Sequence, residues 1–347
     1  MSNRSLLAII TVLVFVCICS ATFVMDAQRI AKSGRELSAE EAESLEKRIE
    51  QNPRDVVSRT KLLDYYFLKT FQNQSASDAQ RKHVLWLILN SPESEVLSIP
   101  EGQLDAILDA EAYTQGKKAW IDQIKRKPEN LKVLENSANF FLHHDRELAV
   151  KSLQKARSLD VDNPKWPAAL GRLYSLDMIT SSLKVRSDVA EKALEQLEIA
   201  YKLSNDTARD ALLPSLAKVA LAANRSKKAK EYAGKMLSQN SPGWNYGNKI
   251  HDGNIILGRI ALALDDVEEA KERLIRAGKT PGSPQLNSFG PNMTLAKELL
   301  QKGEKDVVLR YFELCSKFWE RGKDRLNEWS AVSKDRKVPD FGANLHY

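Results

Sequence analysis

The chain has 347 residues, with 52 Lys and Arg against 46 Asp and Glu and a formal net charge of +6. Hydrophobic residues make up 43% and charged ones 28%, with only 15 Gly and 12 Pro, which excludes collagenous and disordered classes and leaves length for about two average domains. Positive and negative residues interleave, as on solvated helix faces with i,i+4 pairs, so no nucleic-acid partner is expected.

Residues 6–25, LLAIITVLVFVCICSATFVM, carry no charge over twenty positions. A helix rising about 1.5 Å per residue would span roughly 30 Å, the thickness of the hydrocarbon core, whereas the apolar part of a signal peptide runs about 7–15 residues. The expectation is an N-terminal transmembrane signal-anchor helix over residues 1–25, with a cleaved signal peptide as the alternative. Cys19-Ser20-Ala21 is a poor cleavage site, and Val16 and Ile18 before the cysteines argue against lipidation. Arg4 precedes the run while Arg29, Lys32 and Arg35 come after it, which literal positive-inside counting reads as a cytoplasmic domain. Short N-terminal signals more often export the downstream chain. The expected localisation is therefore a single-pass membrane anchor with the soluble domain exported, secreted or periplasmic if cleaved. Residues 26–37 read as a short stalk, and Ser38 with Glu41 forms a capping box that opens the first helix.

From residue 38 to 320 the chain repeats. Ala149, Leu153 and Ala156 share the spacing Ala-x3-apolar-x2-apolar with Ala193, Leu197 and Ala200, with Ala229, Ala233 and Met236, and with Ala270, Leu274 and Ala277. Steps of four and three place each trio on one helical face, with small Ala where helices cross closely. Leu170-Gly171-x2-Tyr174 and Leu257-Gly258 precede two of these trios, and breaks at EQNPRD, KRKPEN and LDVDNP put Pro between helical stretches. Trp86, Trp120 and Trp319 read as core residues within helices. A ten-residue excess inside SLDMITSSLKVRSD is expected to separate the two helices of the 164–203 unit.

These positions resemble the tetratricopeptide repeat, a pair of antiparallel helices with the pattern W-x2-L-G-x2-Y … A-x3-F … P. The likeness covers residues 128–280 clearly and 40–320 loosely; Pro167 stands where the first Trp of the pattern would be. It implies an all-α, right-handed superhelical solenoid of about six to seven stacked antiparallel helix pairs. The family's role of displaying surfaces to proteins implies a scaffold or adaptor with a protein or peptide partner.

Chemistry-bearing motifs are sparse. Cys17 and Cys19 lie in the apolar run, leaving Cys315, on a helix, as a buried structural thiol. His143-His144-Asp145 reads as a solvated turn rather than a metal site. Asp340-Phe341-Gly342 lacks every other kinase element. No catalytic, metal or cofactor residue is assigned, and no enzyme is expected; an enzyme whose site is assembled from scattered residues is a further alternative. The sequons at Asn73, Asn205, Asn224 and Asn292 matter only in a glycosylating secretory route.

Two longer connections stand out: Ser241–Asn254, SPGWNYGNKIHDGN, and Thr280–Asn292, TPGSPQLNSFGPN. Both join hairpins, so both should emerge on one edge of the array, close enough to touch. Trp244, Asn245, Tyr246, Asn248, Asn287, Phe289 and Asn292 are the expected partner-binding residues, with Ser288 beside them, because aromatic and amide groups on Pro-restrained loops suit a binding surface. The alternatives are that the loops bind a small molecule or glycan, or that they pack on each other and cap the solenoid. Residues 321–347 read as an amphipathic helix with Leu326 and Trp329, then an extended tail with Phe341, Leu345 and Tyr347.

Overall fold

A computed structural model describes residues 33–70, 73–180, 183–238 and 243–345. The apolar run at 6–25 and most of the stalk lie outside the described residues, as do residues 241–242 and Tyr347. Sixteen α-helices and no strand occur among the described residues, and none of those helices is long and apolar enough to cross a membrane. The chain divides into two compact units after Leu173.

The first unit holds α1 (Ala39–Gln51), α2 (Val56–Phe67), α3 (Gln74–Asn90), α4 (Ala110–Arg126), α5 (Leu131–Phe141), α6 (Arg146–Leu159) and the first half of α7 (Lys165–Thr180). Local chemistry starts the helices where short polar side chains can accept the orphan N–H groups. Ser38 and Glu41 form the anticipated capping box, and Asp55, Asn73, Asp109 and Asn130 cap α2 to α5 in the same way. Sequential helices pack as neighbours from α1 through α6. Ala149, Leu153 and Ala156 of α6 are all buried, as the spacing requires.

His143-His144-Asp145 does form the α5–α6 turn, but the turn is not simply solvated. Its His144 Nε2 lies 3.1 Å from Asp105 Oδ2, and Asp145 takes a 2.7 Å hydrogen bond from the Tyr113 hydroxyl and pairs with Lys117. Burial works against the Asp145 charge, yet Lys117 and Tyr113 outweigh it and hold its pKa below the usual value. Trp120 is buried; Trp86 is only half-buried, with the Arg59 guanidinium 3.8 Å above its ring.

The second unit continues with α8 (Leu183–Leu203), α9 (Asp206–Ala222), α10 (Ser226–Ser238), α11 (Tyr246–Ala263), α12 (Val267–Gly278), α13 (Pro284–Phe289), α14 (Thr294–Gln301), α15 (Lys305–Cys315) and α16 (Lys323–Lys334). All nine residues of its three Ala-x3-apolar-x2-apolar trios are buried. Gly258 shows why a small residue recurs: a Cβ there would lie 2.3 Å from Leu295 Cδ2 and 3.0 Å from Arg273 Cβ. The ten-residue excess does not form a long connection. It extends α7 to Thr180 and starts α8 at Leu183, because its residues keep helical spacing and contain no Gly or Pro.

The C-terminal residues are not a free extension. Phe341 is buried among Phe312, Trp319 and Trp329, with its ring 5.0 Å from that of Trp329, whose Nε1 donates to Asp340 O at 3.2 Å. Trp319 belongs to this cluster from the turn after α15 rather than from a helix. Leu345 packs against its border and Cys315 is buried within it.

Candidate functional site

The two stretches singled out as loops meet as expected, but both are more helical than their Gly, Asn and Pro content suggests. The first is helical from Tyr246 onward, and the second contains α13, with Pro284 at its first position and the Ser283 hydroxyl accepting from Leu286 N at 3.0 Å. Tertiary bonds override weak local propensity in Tyr246–Asn254: Gly247, Asn248, Lys249, His251, Gly253 and Asn254 are all buried.

Their contact is a backbone-to-backbone joint. The Thr280 hydroxyl donates to Gly247 O at 2.7 Å, and a Cβ on Gly247 would fall 1.9 Å from Gly282 O, so only glycine fits. Gly282 itself has a φ of +81°. Beside it, Asn248 accepts from the Ser283 hydroxyl and donates to the Gln285 side chain. Asn287 Oδ1 accepts from Glu320 N at 3.2 Å, while Asn292 Oδ1 accepts from Thr294 N at 2.9 Å just ahead of α14. Asn248 therefore bonds across the joint, Asn287 ties α13 to the turn after α15, and Asn292 bonds to its own neighbour Thr294. Asn245 precedes α11 with its Oδ1 buried and unbonded, and Tyr246 is half-buried.

The aromatic residues behave differently. Trp244 is 73% exposed and Phe289 50% exposed. Phe289 is followed by Gly290 with a φ of +87°, and its carbonyl accepts from the Asn344 side chain at 3.2 Å.

Beneath the joint runs a polar network that periodicity does not reveal. His251 is buried, with Nδ1 3.0 Å from Asp252 Oδ1 and Nε2 2.9 Å from the Tyr311 hydroxyl, which also lies 3.2 Å from Asn292 O. Lys218 reaches Asp252 Oδ2 at 2.7 Å, Lys249 pairs with Asp210, and Arg259 pairs with Glu298 at 2.7 Å. These pairs tie α9 to α11 and α11 to α14. Burial alone would raise the pKa of Asp252, but Lys218 and His251 outweigh it and hold the carboxyl well below its usual range. A cavity of about 80 Å³ opens here, lined by Lys218, Asp252, Arg259, Asn292 and Thr294 over Ile255 and Ile256. Its charged groups are mutually paired, which suits hydrogen bonding to a guest more than proton transfer. Only the adjacency of His251 and Asp252 hinted at this network in the sequence.

Among the described residues no group of three or more His, Cys, Asp or Glu is placed to hold a metal ion. No protein-family model and no curated protein matches the chain.

Proposed function

We propose that the chain is a membrane-anchored scaffold of tetratricopeptide-like hairpins, stacked as a right-handed superhelical solenoid and exported beyond its anchor. It binds protein segments through the inner helical faces and the surface bearing Trp244 and Phe289. The observation that supports this most is the exposure of those two aromatic side chains, at 73% and 50%, on the two segments that meet at the Gly247–Gly282 joint. Apolar side chains presented from a rigid frame lose little entropy on binding, which is how a few aromatic anchors dominate an interface.

The test is a Trp244→Ala/Phe289→Ala double variant, purified alongside the parent from gently solubilised membranes. Unchanged thermal unfolding with loss of co-purifying protein supports the reading. Reduced stability with an unchanged set of partners sinks it, and leaves the two residues as part of a terminal cap. Resistance of the full chain to alkaline carbonate extraction checks the anchor separately.

A further inference from the structure

The connection Gln103–Asp109, between the 3-10 turn Pro100–Gly102 and α4, presents two adjacent aliphatic side chains to solvent. Ile107 is 84% exposed and Leu108 63% exposed, and Ile107 is the most exposed large hydrophobic residue among those described. The segment is braced at both ends. Asp105 Oδ1 accepts from Ile107 N at 2.8 Å and from Leu108 N at 3.1 Å, while its Oδ2 meets His144. Asp109 caps α4 through Ala112 N at 2.9 Å and pairs with Arg81. The apolar tip is therefore held outward by polar bonds, where an unbraced loop would fold it inward.

A chain of contacts assigns this tip to one edge of the first unit. Arg35, just before α1, donates through Nε to Asp64 near the end of α2 at 3.0 Å and through Nη2 to Glu101 at 3.5 Å. Gln80, in the first half of α3, donates to Glu101 O at 3.0 Å; Arg81 reaches Asp109, and His144 in the α5–α6 turn reaches Asp105. Leu68, half-exposed after the last turn of α2, lies at this edge too. The described chain thus begins at the edge that carries the tip. Met25, the last residue of the apolar run, precedes Ser33 by eight residues, a reach of at most about 29 Å at full extension.

We propose that this edge faces the lipid bilayer holding residues 6–25, and that Ile107, Leu108 and Leu68 enter its interfacial layer. This rests on the proposed anchor. Beside the tip, Asp109 pairs with Arg81, Asp145 with Lys117, and Asp105 is hydrogen-bonded to His144, so the contact is an apolar one that does not depend on anionic lipid. Fixing this edge to the membrane leaves the opposite edge of the first unit, where the α6–α7 turn lies, turned toward solvent.

The experiment uses the full chain in phosphatidylcholine vesicles, with Cys17→Ser and Cys19→Ser, and with Cys315 left in place because it is buried. A polarity-sensitive dye is attached at Ile107→Cys or at Val161→Cys. Val161 is also exposed, but it lies beyond the far end of α6, about 21 Å of helix from the tip edge. Both sites are exposed, so unchanged thermal unfolding is expected of both variants. The expected result is a blue shift at position 107 and quenching by brominated lipid, with neither at 161, in zwitterionic vesicles and at high salt alike. Identical solvent-like emission at both positions, in a chain that resists carbonate extraction, overturns the proposal while sparing the anchor. Cross-linking between copies at position 107 without lipid quenching also overturns it, in favour of a second copy as the occupant. Release of the chain by carbonate overturns the anchor itself and this inference with it.

Discussion

The Asn344 side chain donates to Pro291 O at 2.9 Å and to Phe289 O at 3.2 Å, while its own backbone carbonyl accepts from Met293 N at 2.8 Å. Three bonds from one residue near the C-terminus thus close the segment that leads from α13 into α14. The same stretch buries Phe341 against Trp329 and Phe312, so the tail completes the core of the second unit. Replacing Asn344 by Ala leaves buried carbonyls without donors. We expect a loss of about 1–3 kcal/mol in urea unfolding, with truncation before Asp340 costing more. An unchanged midpoint for the truncated chain would show that the tail is ornamental.

Two glycines should respond with opposite sign. Gly247→Ala drives a Cβ into Gly282 O, a backbone atom that cannot move aside, whereas a Cβ on Gly234 in α10 meets nothing within 4 Å. The first substitution should lower the unfolding temperature by several degrees. The second should raise stability by about 0.5–1 kcal/mol, through helix propensity alone. Equal responses in differential scanning calorimetry would contradict the close joint.

Asp252 should contribute to acid sensitivity. Its folded-state pKa is depressed below the ordinary 3.8 by Lys218 and His251, against burial. The stability it contributes is therefore fully present above about pH 4–5 and is lost as the pH falls through the depressed value. Lys218→Met removes the main attraction and raises that value toward the ordinary one. Stability near neutrality should fall, because the contribution lost is the one present above about pH 4–5. In the acid limb, where the carboxyl is protonated folded and unfolded, variant and parent should converge; the midpoint of acid unfolding moves to higher pH. Circular dichroism from pH 7 to 2 measures it, and a midpoint that stays put would mean Lys218 is not the controlling charge.

Cys315 should be inert while the protein is folded. Burial pushes its thiol far above the usual range, only partly offset by a hydrogen bond with Tyr311. Alkylation in native buffer, followed by mass spectrometry, should leave Cys315 unmodified, and its labelling rate should rise in step with urea unfolding. Prompt native labelling would place the residue outside the core.

Much of the fold was legible because helical periodicity is a local signal. The trio Ala270, Leu274 and Ala277 needs only its own spacing to define a buried face, and Ser38 with Glu41 needs only its own side chains to start a helix. Where sequence and structure differ, the deciding contacts are distant along the chain. Tyr246–Asn254 looks like a loop by composition, but it is helical because Asn248 is bonded to Ser283, His251 to Tyr311 and Lys249 to Asp210. The HHD turn looked solvated because nothing nearby announces Asp105, Tyr113 or Lys117 as its partners.

The candidate surface divides along the same line. Residue type singled out Trp244, Asn245, Tyr246, Asn248, Asn287, Phe289 and Asn292, and the repeat pattern put their two segments on a common edge. Only the tertiary structure showed that Asn248 and Asn287 bond to residues more than thirty positions away while the side chains of Trp244 and Phe289 stay half or more exposed. An amide can serve a partner or its own protein equally well, and which it serves depends on where Ser283 and Glu320 come to lie. The sequence by itself determined an all-α chain of paired helices, because apolar spacing acts within a few turns. Which of its polar groups bond within the protein and which aromatic ones stay exposed was decided by packing between residues some thirty to sixty positions apart.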